Sequence, residues 1–310
     1  MLTIFSAPKP FEGEIGLIQE NAIESWTRLH PEAEVLLLGD DSGISEASAR
    51  LGVRHLGGLR TNEWGTPLVN SMFEKARQAS TFSDLCFVNT DIILFPDLLD
   101  AIDAVRVEFE RFLIVGQRWD LSVREPIDFT NGWRDGLASK LQSRGSLHPP
   151  AGSDYFAFDA SQYLQMPPFA VGRAGWDNWM IFEARQLKVP VVDATGSVTA
   201  IHQEHDYRHL PGSQPHYRLP ESHRNLELAG GPHTIFTLRD ATWEFRDSQL
   251  RPRGTSWGRA VEAGILARLG PTAAGALTYA VLHPLRTFRR ARGAIRWRGS
   301  KLRTGESDRL

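Results

Sequence analysis

The chain of 310 residues has 41% hydrophobic and 23% charged residues, a composition typical of folded soluble domains that excludes a disordered or collagen-like chain. Its single cysteine, Cys86, excludes an intramolecular disulfide and a cysteine-based zinc site. No apolar run reaches the roughly 18 residues that a membrane-spanning helix needs, and the first residues lack the basic start of a signal peptide. We therefore expect a cytoplasmic protein.

The net charge of −2 conceals an asymmetry along the chain. Residues 251–310 carry 13 Lys and Arg against 3 Asp and Glu, whereas residues 1–250 carry 22 basic and 34 acidic residues. An acidic body with a basic tail indicates two separate tasks. We expect a catalytic domain over residues 1–250 and a basic, amphipathic helical tail over residues 251–310.

Apolar runs alternate with amphipathic segments through the first 115 or so residues, which predicts alternating strands and helices. Strands are predicted at 2–7, 34–38, 53–56, 84–88 running on through 92–95, and 112–116. Helices are predicted between them at 15–29, 45–51, 67–79 and 96–109. Further on we expect helices at 133–142 and 178–187, strands within 152–159 and 189–202, and a loop-rich segment at 211–247.

These strands are apolar throughout, as expected where helices cover both faces of a sheet. The predicted fold class is therefore α/β, with a mostly parallel sheet and helices on both faces. Sheets of this kind bind ligands beyond the carboxyl ends of their strands. The polar residues that end the first, second and fourth strands are therefore the first candidates for a site.

The sharpest candidate is the triplet Asn89-Thr90-Asp91, which interrupts an otherwise apolar stretch. A buried carboxylate is costly unless it is paired or bound to a metal. Strand alternation places Asn89 and Asp91 on one face, where their oxygens suit a hard cation such as Mg²⁺ or Mn²⁺ that also takes phosphate oxygens. The alternative is a turn in which Asp91 caps the following helix.

The triplet resembles a variant of the Asp-x-Asp motif of GT-A-fold glycosyltransferases, which binds a metal ion and through it the diphosphate of a nucleotide-sugar. Residues 62–70, Asn-Glu-Trp-Gly-Thr-Pro-Leu-Val-Asn, also resemble these enzymes. The resemblance implies a GT-A-like fold, with a donor-binding half at 1–120 and an acceptor half at 121–250. Asn89 departs from the motif, because it replaces an acidic residue and removes one negative charge.

The resemblance also implies which residues meet the donor. Asp91 would be the metal ligand for Mn²⁺ or Mg²⁺, and Asp40, followed by Asp41, stands where many GT-A enzymes place an acid on the base or ribose. The donor-binding residues expected on this basis are Ser6, Ala7, Lys9, Asp40, Asn70 and Asn89. Lys9 and Arg118 are candidates for diphosphate contacts, although each is also typical of a solvated surface charge.

Residues 174–179, Ala-Gly-Trp-Asp-Asn-Trp, place an acid between two tryptophans. They resemble the Gly-x-Glu/Asp-Asp region of GT-A enzymes, which implies that Asp177 is the catalytic base and that Trp176 and Trp179 bind the acceptor. Aromatic faces suit sugar rings, and a carboxylate can take a proton from a hydroxyl. The alternative is that Asp177 caps a helix whose tryptophans lie in the core.

Six of the ten histidines lie between residues 202 and 233. Many GT-A enzymes supply a late histidine to the metal or the pyrophosphate, which implies that His202 is a metal ligand, with His205 as the rival. The alternative is a polar loop with no ligand. Asp154, before an aromatic strand, stands where related enzymes hydrogen-bond acceptor hydroxyls, and it is equally typical of a strand start.

The segment from 271 to 303 has no acidic residue and carries eight Lys and Arg, interleaved with Phe288, Ile295 and Trp297. Such a pattern is typical of an in-plane helix on an anionic membrane surface. Nucleic-acid binding and a solvated end are the alternatives. We favour the membrane, at the inner face, because enzymes of the resembled family often use lipid-linked acceptors, and we expect no nucleic-acid partner.

The sequence thus predicts a metal-dependent glycosyltransferase. It would move a sugar from a nucleoside diphosphate to the hydroxyl of a glycan or lipid-linked saccharide, in polysaccharide biosynthesis. A nucleotidyltransferase on a similar sheet is one alternative. A non-catalytic carbohydrate-binding relative is the other, and Asn89 is the feature that favours it.

Overall fold

The computed structural model describes residues 1–205, 217 and 219–288 as strands and helices in alternation. The strands are β1 (Leu2–Ser6), β2 (Glu34–Leu38), β3 (Arg54–Leu56), β4 (Asp84–Val88), β5 (Ile92–Leu94), β6 (Leu113–Val115), β7 (Trp119–Leu121), β8 (Ser146–Leu147), β9 (Tyr155–Asp159), β10 (Val191–Asp193), β11 (Ala200–Gln203), β12 (Trp243–Arg246) and β13 (Gln249–Pro252). The helices are α1 (Gly13–Thr27), α2 (Ile44–Leu51), α3 (Val69–Ala79), α4 (Asp97–Glu108), α5 (Trp133–Arg144), α6 (Trp176–Gln186), α7 (Pro220–Leu228), α8 (Trp257–Leu269) and α9 (Ala273–Leu282).

Nine strands form the central sheet, in the order β13-β12-β10-β6-β9-β4-β1-β2-β3. All neighbours are parallel except at β9, which runs against β4 and β6, and at the β12–β13 hairpin. A smaller sheet has the order β5-β11-β7-β8, in which β11 is antiparallel to β5 and parallel to β7.

Helices cover both faces of the central sheet, and its inner strands β1, β4, β6 and β10 are buried along their whole length. In β1, Ile4 packs with α1, α2 and α4 in one core, and Phe5 packs with α3, α6 and α8 in the other. Burial on both faces is typical of parallel strands between two helical layers. The predicted fold class, a mostly parallel α/β sheet with helices on both faces, is confirmed.

The chain leaves the central sheet at the polar triplet. Strand β4 ends at Val88, and β5 begins at Ile92 in the smaller sheet. The indole Nε1 of Trp26 on α1 donates a hydrogen bond of 2.8 Å to the carbonyl of Ile92, which anchors β5 to the helical layer. The triplet therefore lies at the carboxyl end of β4, where the two sheets meet.

The structure has a helix and a hairpin in or next to the segment that the sequence predicts to be rich in loops. Helix α7 and the β12–β13 hairpin lie largely within the segment from 211 to 247 or just beyond it. Helix α7 is polar and its buried residues include Glu221 and Asn225, so it carries almost no apolar period. Hydrogen bonds allow these polar residues of α7 to be buried, so a search for periodic apolar residues does not detect the helix.

Residue 250, the predicted boundary between the catalytic domain and the basic tail, lies within β13. Helix α8 buries Ala263, Leu266 and Ala267 in the same core as α6. The core therefore extends to the end of α8. Helix α9 follows, and residues 289–303 of the predicted basic segment lie outside the described residues. In the part of the chain that is described, no helix is both long and apolar enough to cross a bilayer.

Candidate functional site

Three side chains converge where β4 and β11 end. Asp91 follows β4, His202 belongs to β11, and His205 lies two residues beyond that strand. The Oδ2 of Asp91 lies 3.2 Å from Nε2 of His205 and 3.7 Å from Nε2 of His202, and one ligand atom from each residue falls within 4.8 Å of the others. The structure thus brings both histidine candidates, rather than one of them, to the same carboxylate.

The cluster has the features of a cation site. The Oδ1 of Asp91 is buried and has no hydrogen-bond partner among the described residues. Two ligands at about 2.1 Å from one cation lie at most about 4.2 Å apart. The distances from Asp91 to His205 and to His202, 3.2 and 3.7 Å, lie within that limit. The residues therefore fit a divalent cation, and two imidazoles with one carboxylate suit Mn²⁺ better than Mg²⁺.

The electrostatics keep Asp91 ionised and His202 neutral. Burial would raise the pKa of Asp91, but the hydrogen bond from His205 and the nearby His202 and Lys9 outweigh it and bring that pKa to about 2. Burial lowers the pKa of His202 below its ordinary value, although Asp91 opposes the change. An ionised carboxylate and a neutral imidazole are the ligand forms that a cation requires.

The Asn89 side chain has a partner other than the metal cluster. Its Nδ2 donates a hydrogen bond of 2.6 Å to Oδ1 of Asp154, and its backbone N–H donates to the Asp154 carbonyl across 2.9 Å. The two residues meet because β4 and β9 are antiparallel neighbours, with Val88 opposite Tyr155. Asn89 therefore holds Asp154 in place, and its expected role in donor binding stays a prediction.

Arg118 is not a free surface cation. Its guanidinium bonds Oδ2 of Asp154 at 2.5 Å and Oδ1 of Asp120 at 3.1 Å, and its side chain is mostly buried. Burial alone would lower the pKa of Arg118, but the two carboxylates raise it above its ordinary value. This corrects the solvated interpretation of Arg118 and shows that its charge is shared by two acids of the site.

Asp120 and His148 are the residues of this site that sequence reasoning missed. Asp120 lies on β7 and accepts hydrogen bonds at 3.1 Å from Nδ1 of His202 and at 2.8 Å from Nδ1 of His148. Burial opposes the ionisation of Asp120, but the hydrogen bond from His148 and the charge of Arg118 lower its pKa below the ordinary value. No local pattern marks Asp120, since its partners lie on other strands.

Asp177 lies in the first turn of α6, after Gly175, whose φ of 108° is a conformation that favours glycine. Its Oδ1 accepts the backbone N–H of Gly175 at 3.2 Å. Burial raises the pKa of Asp177 to about 6, the Asp154 charge adds to the effect, and backbone hydrogen bonds offset part of it. A carboxylate with this pKa is a better base near neutral pH than an ordinary aspartate.

The two tryptophans beside Asp177 lie in the core. Trp176 is 4% exposed and packs edge-on against Phe87, with 5.0 Å between ring centroids. Trp179 is 6% exposed and packs in the same way against Phe169 at 5.3 Å. Protein covers both rings, as the core interpretation predicts, and the expected role of Trp176 and Trp179 in acceptor binding stays a prediction.

Strand β1 delivers a loop to the same end of the sheet. Ser6 donates its hydroxyl to the Val88 carbonyl, and Ala7 follows at the strand end. The Gln19 side chain holds the loop by two hydrogen bonds with the backbone of Lys9, at 2.7 and 2.9 Å. Lys9 is close enough to Asp91 for their charges to affect each other's pKa. Lys9 therefore lies near Asp91, and Ser6 contacts the end of β4.

The two remaining donor candidates lie at other strand and helix ends. Asp40 follows β2 and accepts the backbone N–H of Gly58 at 2.7 Å, so it also orders the loop after β3. Its neighbour Asp41 has a raised pKa because of burial and the Asp40 charge. Asn70 lies in the first turn of α3, and its Oδ1 is buried without a partner among the described residues.

Comparison with known proteins yields no family model and no curated protein that matches this chain. Among solved structures, glucosyl-3-phosphoglycerate synthase from Mycobacterium tuberculosis has a TM-score of 0.46 at 15% identity, over 75% of this chain and 81% of that one. The same synthase in complex with Mn²⁺, uridine diphosphate and glucosyl-3-phosphoglycerate has 0.45 at 14%, over 83% and 88%. Staphylococcus aureus TarS 1–349 with UDP-GlcNAc has 0.30 at 18%, over 40% and 36%. Likenesses this distant carry no weight beside the geometry of the site itself.

Proposed function

We propose that this chain is a GT-A-like glycosyltransferase, which moves a sugar from a nucleoside-diphosphate sugar to a hydroxyl acceptor and depends on a divalent cation. One observation carries the proposal. The carboxylate Asp91, at the end of β4, has a buried Oδ1 with no hydrogen-bond partner among the described residues, and two imidazoles have ligand atoms within 4.8 Å. Such a site accounts for a buried carboxylate that would otherwise be costly.

Asp91, His202 and His205 would hold the cation, Mn²⁺ or Mg²⁺, and imidazole ligands suit Mn²⁺ better than Mg²⁺. The bound ion would neutralise charge on the diphosphate as it leaves. Lys9 stands beside Asp91 and supplies a further positive charge for the same phosphates. Ser6, Ala7, Asp40, Asn70 and Asn89 remain the candidates for holding the rest of the donor.

Asp177 is the proposed catalytic base. In an inverting transfer it would take the proton of the acceptor hydroxyl, while the hydroxyl oxygen bonds to the anomeric carbon and the bond from that carbon to the diphosphate breaks. Its pKa of about 6 matches this task at neutral pH. In a retaining transfer Asp177 would instead orient the acceptor. Asp154, whose charge reaches Asp177, is the proposed acceptor contact.

The raised pKa of Asp177 favours an enzyme over a non-catalytic carbohydrate-binding protein. A carboxylate with a pKa of about 6 is still ionised at neutral pH and accepts a proton more readily than an ordinary aspartate, which suits a base, whereas a binding protein needs no such shift. The Asp154 charge contributes to the raised pKa of Asp177, so the proposed base lies near the proposed acceptor contact.

The acceptor is proposed to be a glycan or a lipid-linked saccharide in polysaccharide biosynthesis, and the C-terminal region is proposed to meet an anionic membrane surface from the cytoplasmic side. Helix α9 has no charged residue, yet Leu277 is 68% and Val281 71% exposed. Large exposed apolar surfaces mark interaction sites. Eight Lys and Arg between 271 and 303, against no acid, favour an anionic surface.

The test is turnover of a panel of nucleotide-sugars by the full chain, with Mn²⁺ and with a chelator. We expect metal-dependent hydrolysis or transfer of at least one donor, lost in Asp91→Ala. The matched control is Asp100→Ala, which removes an exposed carboxylate from α4. Metal-independent turnover, or none with any donor, would contradict the proposal, and incorporation of a nucleoside monophosphate would identify a nucleotidyltransferase instead.

A further inference from the structure

Asp120 and His202 are direct neighbours on adjacent strands. Strands β7 and β11 are parallel, and their register places Asp120 opposite His202. The Nδ1 of His202 lies 3.1 Å from Oδ1 of Asp120. The contact is therefore built into the pairing of the smaller sheet and does not depend on a flexible loop.

The contact with Asp120 determines which ring nitrogen of His202 can bind a cation. An ionised carboxylate only accepts hydrogen bonds, so the hydrogen of the neutral imidazole lies on Nδ1. The lone pair is then on Nε2, which faces Oδ2 of Asp91 at 3.7 Å. That distance is too long for a hydrogen bond and short enough for two ligands of one cation.

Asp120 is itself held on both oxygens. Its Oδ1 accepts Nε of Arg118 at 3.1 Å as well as His202, and its Oδ2 accepts Nδ1 of His148 at 2.8 Å. His148 follows β8, the edge strand next to β7. With both oxygens engaged, the carboxylate cannot rotate away from His202 without breaking another bond.

We infer that Asp120 is a positioning residue of the metal centre, which fixes the ring of His202 so that Nε2 points at the cation. The inference rests on the proposed function, since it concerns the cation site assigned there. Histidine ligands that donate their second nitrogen to a carboxylate are oriented in this way, and loss of the carboxylate typically weakens metal affinity about 10–100-fold.

The experiment measures Mn²⁺ affinity of the full chain by calorimetric titration and by electron paramagnetic resonance of free Mn²⁺, without any sugar donor. We expect Asp120→Asn to weaken binding about 10–100-fold. In the His202→Ala background, Asp120→Asn should add less than about twofold, because the effect of Asp120 passes through that ring. The control Asp135→Asn, which removes an exposed charge from α5, should bind within about threefold of wild type.

The outcomes separate this inference from the proposed function. Wild type that binds no Mn²⁺ overturns the metal centre and the inference together. If wild type binds Mn²⁺ and Asp120→Asn binds it equally well, the inference alone is overturned. The same holds if Asp120→Asn weakens Mn²⁺ binding by the same factor with and without His202. If Asp120→Asn does not fold, as judged by melting in chelator, Asp120→Glu displaces the carboxylate by one methylene, and the same loss is expected.

Discussion

The amide nitrogen of Asn89 donates a 2.6 Å hydrogen bond to Oδ1 of Asp154, across the ends of two antiparallel strands. An aspartate at position 89 would set two carboxylates at that distance, where both cannot stay ionised. The residue that departs from an Asp-x-Asp pattern is thus the one that fits its neighbour. The hydrogen bond to Asp154 accounts for an asparagine at position 89 and does not depend on a bound metal.

Asn89→Asp should therefore destabilise the protein instead of strengthening metal binding. We expect a loss of about 1–3 kcal/mol at pH 8, because a hydrogen bond is replaced by a repulsive pair, and a smaller loss at pH 5, where one carboxyl takes up a proton. Chemical denaturation at both pH values measures it. The control is the exchanged pair, Asn89→Asp with Asp154→Asn, which should recover part of the loss. A variant as stable as wild type at pH 8 would contradict the account.

Transfer should depend on the ionisation of Asp177. Its pKa is raised to about 6, so the base form is scarce at pH 5 and dominant at pH 8. The rate at saturating donor, acceptor and Mn²⁺ should therefore rise through about pH 6 and then level off. Saturating Mn²⁺ at each pH removes the contribution of His202 and His205. A rate that is flat from pH 5 to 8 would contradict a role for Asp177 as base.

Asp177→Asn should separate binding from transfer. The amide keeps the size of the side chain and cannot take a proton, so donor and Mn²⁺ affinities should stay within about threefold while an inverting transfer falls by about 10²–10⁴-fold. Equilibrium binding and single-turnover kinetics measure the two effects. The control is Asp159→Asn, at the far end of β9 from Asp154. Undiminished transfer by Asp177→Asn would remove it from the mechanism.

Helix α9 should contribute to membrane binding. Leu277→Glu with Val281→Glu places two negative charges on its exposed apolar side, and sedimentation with vesicles containing anionic lipid should fall about tenfold or more. The matched control is Val107→Glu, at an 83% exposed valine on α4. If the double variant sediments with the vesicles as well as wild type and the control do, the proposal for this helix is contradicted.

The sequence is sufficient to predict the alternating elements, because apolar strands and their polar ends are local signals. Strands β2 and β4 have the predicted bounds. Contacts between distant residues were not predictable. Asn89 and Asp154 were each identified as candidates, but their pairing depends on β9 running antiparallel to β4. Asp120 carries no local signal, because its role comes from the β7–β11 register. The tryptophans beside Asp177 were ambiguous, since aromatic residues suit both a core and a sugar.

Anomalous diffraction from a crystal soaked with MnCl₂ and a nucleoside diphosphate tests the central claim most directly. The account predicts a manganese peak bonded to Asp91 and at least one of His202 and His205, with the diphosphate on its open side. A map in which the nucleotide is bound and no manganese lies beside Asp91 would contradict it.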